Sequence, residues 1–166
     1  MTLPYRPNVG IMLINPTGQI FAGSRTGSTD PHRWQMPQGG IDENEDPLTA
    51  ARRELFEETG VQAVSFIAQS AQWDTYDFPD WVALEKRQKW SGQKQKWFLF
   101  LYTGSDIEKD FKVRRDHEFD SFQWVDADFL LAHIVDFKKE IYRRVLKEFM
   151  PVIRSTCLSA VKPAER

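Results

Sequence analysis

Three glutamates, Glu54, Glu57 and Glu58, stand at spacings i, i+3 and i+4 within residues 39–61, GGIDENEDPLTAARRELFEETGV. The segment reads as one helix. Asp46 followed by Pro47 has the form of an N-cap and a first helical residue, and Gly60 is the residue type that ends a helix. A helix over residues 47–59 is expected. At ~100° per residue, Leu48, Ala51, Leu55 and Thr59 form one stripe with Phe56 at its edge. That stripe must pack on a core, and the three carboxylates fall in the adjacent arc. Like charges at these spacings repel and cost stability, so a cation is expected to neutralise them. All-oxygen ligands suit a hard ion such as magnesium, which usually completes its shell with water and substrate phosphates.

The rest of the chain supplies a sheet for that helix to cover. Residues 9–14 and 19–22 flank Asn15-Pro16-Thr17-Gly18 and read as a β-hairpin. Residues 34–37 form a candidate short strand, and residues 62–72 alternate enough for another. Residues 74–81, DTYDFPDW, carry turn residues and read as a loop. Residues 96–102, KWFLFLY, are apolar at nearly every position and predict a central strand buried on both faces. A strand is expected at 118–125, and Asp126 is placed to cap a short helix at 127–133. In residues 137–149, Phe137, Ile141, Val145 and Phe149 recur every fourth position, which marks an amphipathic helix with Phe137 in the core. Strands and helices intermix, so the fold class is α/β, a mixed sheet with helices on both faces. The expected division is one domain over residues 1–153, followed by a frayed tail at 154–166.

Composition closes off other classes. A formal net charge of −2 argues against a bulk polybasic nucleic-acid binder. One cysteine, Cys157, excludes an internal disulfide framework and reads as an inert thiol. His32, His117 and His133 have no mutual spacing for a metal site or triad, and read as structural or surface residues. No secretory signal and no membrane span are visible. A cytoplasmic protein is expected, and a monomer, since no apolar stripe stands unmatched.

The nine positions Gly39, Glu45, Arg53, Glu54, Leu55, Glu57, Glu58, Gly60 and Val61 match at every fixed spacing the signature of the Nudix hydrolases, which this chain resembles. The resemblance implies a Nudix α/β/α sandwich with a mixed β-sheet. It also implies hydrolysis of a phosphoric anhydride in a nucleoside diphosphate linked to another group. The cofactor implied is Mg2+ or Mn2+, with more than one ion when substrate is bound. Glu54, Glu57, Glu58, Glu118 and Gly39 are the ligands this suggests. Arg53 is expected to pair with Glu45 and tie the preceding loop to the helix, a task suited to a planar guanidinium. The base that activates water is Glu54 or Glu58 within the signature, or Glu118 outside it.

The flanks, RPNVG at 6–10, WQMPQGGI at 34–41, GQKQKWF at 92–98 and FKKEIYRRVLKEF at 137–149, resemble the bacterial RNA pyrophosphohydrolases. The substrate implied is a 5′-triphosphorylated RNA end, converted to a 5′-monophosphate. A dinucleoside polyphosphate is the alternative, and a non-catalytic nucleotide- or RNA-binding module is the third reading. By that resemblance Arg6 contacts the 5′ phosphates, and Phe137 and Lys138 contact the first nucleotides. Residues 74–91 and 103–117 match poorly. Residues 86–97 contain five Lys or Arg and no acid. In an extended strand Lys94 and Lys96 share one face and Gln93 and Gln95 the other, so one face is free to meet phosphate. Arg25, after the hairpin, is a further candidate phosphate contact. Tyr76 is a candidate for stacking on a base.

Overall fold

The computed structural model describes residues 2–113 and 118–161, with side chains to residue 157. The first hairpin is present. Strand β1 (Tyr5–Ile14) runs antiparallel to β2 (Ile20–Arg25). Its turn is held by the Asn15 carboxamide oxygen, which accepts from the backbone N–H groups of Thr17 and Gln19. Gly18 adopts a φ of 87° there, which a side chain would resist. Two short strands follow, β3 (Trp34–Gln35) and β4 (Gln38–Gly40), and then helix α1 (Pro47–Thr59). After them come β5 (Val64–Gln69), β6 (Asp74–Asp77), α2 (Leu84–Lys89), β7 (Gly92–Tyr102), α3 (Ile107–Asp110), β8 (Phe119–Val125), α4 (Ala127–Ala132) and α5 (Lys139–Val161).

The eight strands form one mixed sheet along the path β3-β2-β1-β7-β5, with β4 paired to β1, β6 to β7 and β8 to β2. Among the described residues only β1 and β7 run parallel, in register from Tyr5 opposite Gly92 to Ile14 opposite Leu101. Alternate residues of these central strands feed two cores, which is why residues 11–14 of β1 and 97–102 of β7 are apolar without a break. Val9, Ile11, Leu13, Phe98 and Phe100 pack with Ala50, Ala51 and Leu55 of α1. Met12, Ile14, Trp97 and Leu99 pack with Leu130 of α4 and with Ile141, Tyr142, Val145 and Phe149 of α5. The layers are therefore helix, sheet, helix. Truncating a fully buried member such as Leu55 to alanine costs about 2–5 kcal/mol.

Helix α1 begins and ends where its caps dictate. The Asp46 carboxylate accepts from Thr49 N–H at 3.1 Å, and Gly60, at φ 77°, donates its N–H to Phe56 O. Asp126 caps α4 in the same way, by accepting from Phe129 N–H at 2.8 Å.

Three expectations change, and one element is new. Residues 74–77 are strand rather than loop, because Asp74–Asp77 pairs with the N-terminal extension of β7, Gly92–Gln95. The following residues carry a helix, α2, that no apolar period announces. The C-terminal helix does not stop near residue 150 but runs through Pro151 to Val161. Finally, Phe137 is not core. It lies in a 3-10 turn, Asp136–Lys138, ahead of α5, so the helical register that buries Ile141 and Val145 does not extend to it. The neighbouring Lys138 is buried instead.

Candidate active site

Strand β4 pairs on one side only, with Asn8–Gly10 of β1. The segment entering it is held from the helical layer by Tyr142, whose hydroxyl accepts from Met36 N–H at 2.9 Å. Its two glycines face opposite sides of the sheet. A Cβ on Gly39 would fall 2.0 Å from the Glu54 carboxylate carbon, and one on Gly40 would fall 2.3 Å from Nη2 of Arg6. Glycine at both positions lets an acidic helix and a basic strand close on the same short edge.

Arg53 organises the acidic side. Its Nε and Nη2 each donate to one oxygen of Glu45 at 2.8 Å, the two-pronged pairing expected, and Nη2 also donates to Gly40 O at 2.8 Å. Nη1 donates to Glu54 at 2.9 Å and Glu57 at 3.1 Å. One guanidinium thus ties the loop before α1 to the helix and offsets two of its three clustered charges. The hydrogen bonds from Arg53 hold the Glu45 carboxyl down at about 2. A folded-state pKa below the ordinary value contributes stability that is complete above about 4.5 and is lost as pH falls toward 2. Glu45→Gln is therefore expected to flatten the acid side of a plot of Tm against pH over that window. An unchanged acid limb would show that the pair does not hold the loop.

The three signature glutamates differ sharply in setting. Glu57 is half exposed and Glu54 mostly covered. Glu58 is buried, and one of its oxygens accepts from Gln38 N–H at 3.2 Å. Burial, with Glu118 and Glu54 adding repulsion, pushes the Glu58 carboxyl well above the usual range. Burial also raises Glu54, against the pull of Arg53. Glu118, at the start of β8, is exposed, yet its charge reaches both Glu58 and Lys138. Among the described residues no three acidic, histidine or cysteine side chains converge closely enough to ligate one ion together. Glu54 and Glu57 are both turned to Arg53, and Glu58 to Gln38. The donors nevertheless suit a hard cation in kind: all are oxygens, and among the described residues the buried Glu58 carboxylate has no cationic hydrogen-bond partner. Mg2+ or Mn2+ there would be held by Glu54, Glu57 and Glu58, with Gly39 and Glu118 beside them.

The other side of the β4 edge is lined with substrate candidates. Arg6 and Gln93 are register partners on β1 and β7, and Gln93 accepts from the hydroxyl of Tyr76 on β6. Gln95 donates to Asn8 at 2.8 Å and to the Gln38 side chain at 3.0 Å, so β7 is linked to the residue whose N–H holds Glu58. Burial lowers the Lys138 ammonium to about 8, and Arg25 and Lys86 add to that shift while Glu118 and Glu58 oppose it. Lys138 therefore lies in the field of the acidic cluster, and Arg25 is near enough to act on it. Phe137 sits between Tyr76, at 5.5 Å, and Trp81, at 5.3 Å between ring centroids, which makes an aromatic wall beside Lys138.

Lys94 and Lys96 point to the opposite face of β7 from Gln93 and Gln95. Their ammonium groups lie 5.5 and 5.9 Å from the Trp73 ring. The alternation holds, but the glutamines rather than the lysines turn toward Arg6 and Gln38. Gly60 serves only as the cap of α1. Cys157 is a half-buried free thiol. His32 is exposed beside Asp30, and the His133 ring stacks on Phe129 and pairs with its carbonyl. His117 lies outside the described residues. Sequence reasoning missed Gln38, Gln95, Asn8 and Trp81. The two-residue period of β7 pointed to Gln95 along with Gln93, whereas nothing local marks the others.

A sequence model of the NUDIX domain matches residues 4–145. The RNA pyrophosphohydrolase of Cereibacter sphaeroides (strain KD131 / KCTC 12085) is 50% identical over 155 residues, covering 91% of this chain and 94% of that protein. The RNA pyrophosphohydrolase of Bartonella henselae is 44% identical, with 89% and 91% covered. Among solved structures, the E. coli dihydroneopterin triphosphate pyrophosphohydrolase superposes with a TM-score of 0.64 at 16% identity, over 87% of this chain and 99% of that one. A C. elegans Ap4A hydrolase superposes with a TM-score of 0.60 at 17% identity, over 87% and 98%. These two likenesses establish a shared fold.

Proposed function

The chain belongs to the Nudix hydrolase family, and on that premise we propose that it is an RNA pyrophosphohydrolase, which converts a 5′-triphosphorylated RNA end to a 5′-monophosphate. The observation that carries this reading is the pairing across one strand edge of an acidic helix with Arg6, Lys138 and an aromatic wall. Anionic anhydrides resist attack because they repel nucleophiles, so the enzyme must neutralise phosphate oxygens and activate water. A divalent cation held by Glu54, Glu57 and Glu58 would supply the first function. Arg6, with Arg25 and Lys138, is placed to hold the phosphate chain. Tyr76, Phe137 and Trp81 offer ring faces to unpaired bases. Glu58 is the general base this setting favours. Burial beside two other carboxylates raises its pKa well above the ordinary carboxylate range, which makes its ionised form a stronger proton acceptor. Glu54 and Glu118 are positioned to tune it.

The test is competition between a short 5′-triphosphorylated RNA and diadenosine tetraphosphate at equal concentration with magnesium. Faster conversion of the RNA to its 5′-monophosphate is expected. Faster dinucleotide cleavage with the RNA barely touched would overturn the assignment.

A further inference from the structure

Arg6 borders two spaces. On one side it lies against Gly40 of β4 and in the field of Glu54. On the other it lines a cavity of about 380 Å³ together with Phe78, Glu85, Lys86, Lys89 and Trp90. That volume falls within the range of small-ligand sites. The walls hold three cations against one carboxylate, and two aromatic rings.

Helix α2 supplies half of this wall, Glu85, Lys86 and Lys89, and its construction is unusual for a surface helix. It has no buried residue, and Leu84 is 60% exposed. Polar ties at its ends hold it in place. Arg87 Nε donates to Val82 O at 3.0 Å, Ser91 N–H donates to Pro4 O at 2.9 Å, and Phe78 N–H donates to Ser91 O at 2.9 Å. Arg87 thus commits its Nε to anchoring the helix. Lys86 and Lys89, at i and i+3, share one helix face and are exposed beside the cavity. Most of a helix's stability normally comes from a buried apolar face. One held only by its ends, with its lysines turned to a cleft lined by tryptophan and phenylalanine, is suited to presenting charge.

We propose that this cavity is a subsite for the RNA strand, which takes a nucleotide beyond those that meet Phe137 and Lys138. The base stacks on Trp90 or Phe78, and Lys86 and Lys89 contact the phosphodiester. Paired cations and rings are the composition that tracks a single strand. A released pyrophosphate has no use for the rings, and an apolar ligand has no use for three cations. The subsite rests on the reading of the chain as an RNA pyrophosphohydrolase.

The experiment compares kcat/KM for a 5′-triphosphorylated dinucleotide, a 5′-triphosphorylated hexanucleotide and diadenosine tetraphosphate, each with wild type and with the double variant Lys86→Gln/Lys89→Gln. Both lysines are exposed, so the fold is kept. The hexanucleotide is expected to lose about tenfold, with the other two substrates within about twofold. Each lost phosphate contact should also reduce the slope of log affinity against log salt by roughly 0.7, so about 1.4 for the pair. An unchanged hexanucleotide would overturn the subsite. An equal loss on the dinucleotide would assign the cavity to the reacting phosphates instead. A loss confined to diadenosine tetraphosphate would assign it to that ligand's distal nucleoside. Each of these two outcomes also overturns the proposal. A wild-type enzyme that acts on neither RNA but cleaves the dinucleotide would sink the parent reading, a result distinct from all three.

Discussion

Glu58→Gln is expected to lower kcat on 5′-triphosphorylated RNA by about 10³-fold or more and to leave the protein folded. A positioned general base contributes typically 10²- to 10⁴-fold, and the same substitution removes an anionic ligand from the proposed cation site. Glutamine has nearly the shape of glutamate, and its carbonyl oxygen can still accept from Gln38 N–H. Stability should not fall. The Glu58 carboxyl is raised by burial and by Glu118 and Glu54, so the folded state binds its proton more tightly than the unfolded chain does. Such a group makes the fold less stable as pH rises above its ordinary value of about 4.5. Glutamine does not ionise, so the variant's Tm in the absence of metal should equal or exceed that of wild type at neutral pH. Calorimetry and single-turnover kinetics measure the two halves. A kcat within tenfold of wild type would remove Glu58 from the chemistry. A collapse in Tm would show that its role is structural. Alanine at Glu57 should also cost several orders of magnitude in turnover. Its stability cost should stay within about 1 kcal/mol, because the carboxylate is half exposed and pairs only at the surface.

Chelation is the second large effect. EDTA should abolish turnover, and magnesium or manganese should restore it. With the carboxylates arranged as they are, Arg53 neutralises Glu54 and Glu57 while Glu58 is buried with a backbone N–H. An added cation has unspent carboxylate charge to bind, and binding only the folded state must raise Tm by mass action. Magnesium should therefore raise the wild-type Tm in a concentration-dependent way, and less so in Glu58→Gln. Full activity after thorough chelation would contradict the assignment of the glutamates. A Tm rise of equal size in both proteins would place the ion elsewhere.

The elements legible in the sequence are those that local chemistry decides. Helix α1 spans Pro47–Thr59 as its caps predict, because an Asp-Pro start and a left-handed glycine act on their own backbone neighbours. Asp126 marked α4 for the same reason, and the run at 96–102, apolar at nearly every position, marked a strand buried on both faces. The pairing of Arg53 with Glu45 was also legible, through the signature spacing. The elements that were not legible owe their form to distant partners. Residues Asp74–Asp77 are bounded by two aspartates, which are poor strand formers, and they become strand because β7 extends far enough to supply hydrogen bonds. Helix α2 lacks a buried face, so periodicity has nothing to report. Phe137 broke a sound helical pattern because the chain tightens to a 3-10 turn before α5.

By itself the sequence determined the family, the helix-sheet-helix layering and the identity of the acidic residues. Those follow from spacing and apolar period, properties that neighbours along the chain carry. Only the tertiary structure decided which faces meet. It turned Gln93 and Gln95 rather than Lys94 and Lys96 toward Arg6 and Gln38, buried Lys138 within the field of Glu58 and Glu118, and drew Trp81 against Phe137. The physical reason is that a strand's two-residue period establishes that alternate residues part company but not which set faces inward. That choice is made by the parallel register of β1 and β7, which sets the Arg6–Gln93 and Asn8–Gln95 pairs on one face of the sheet.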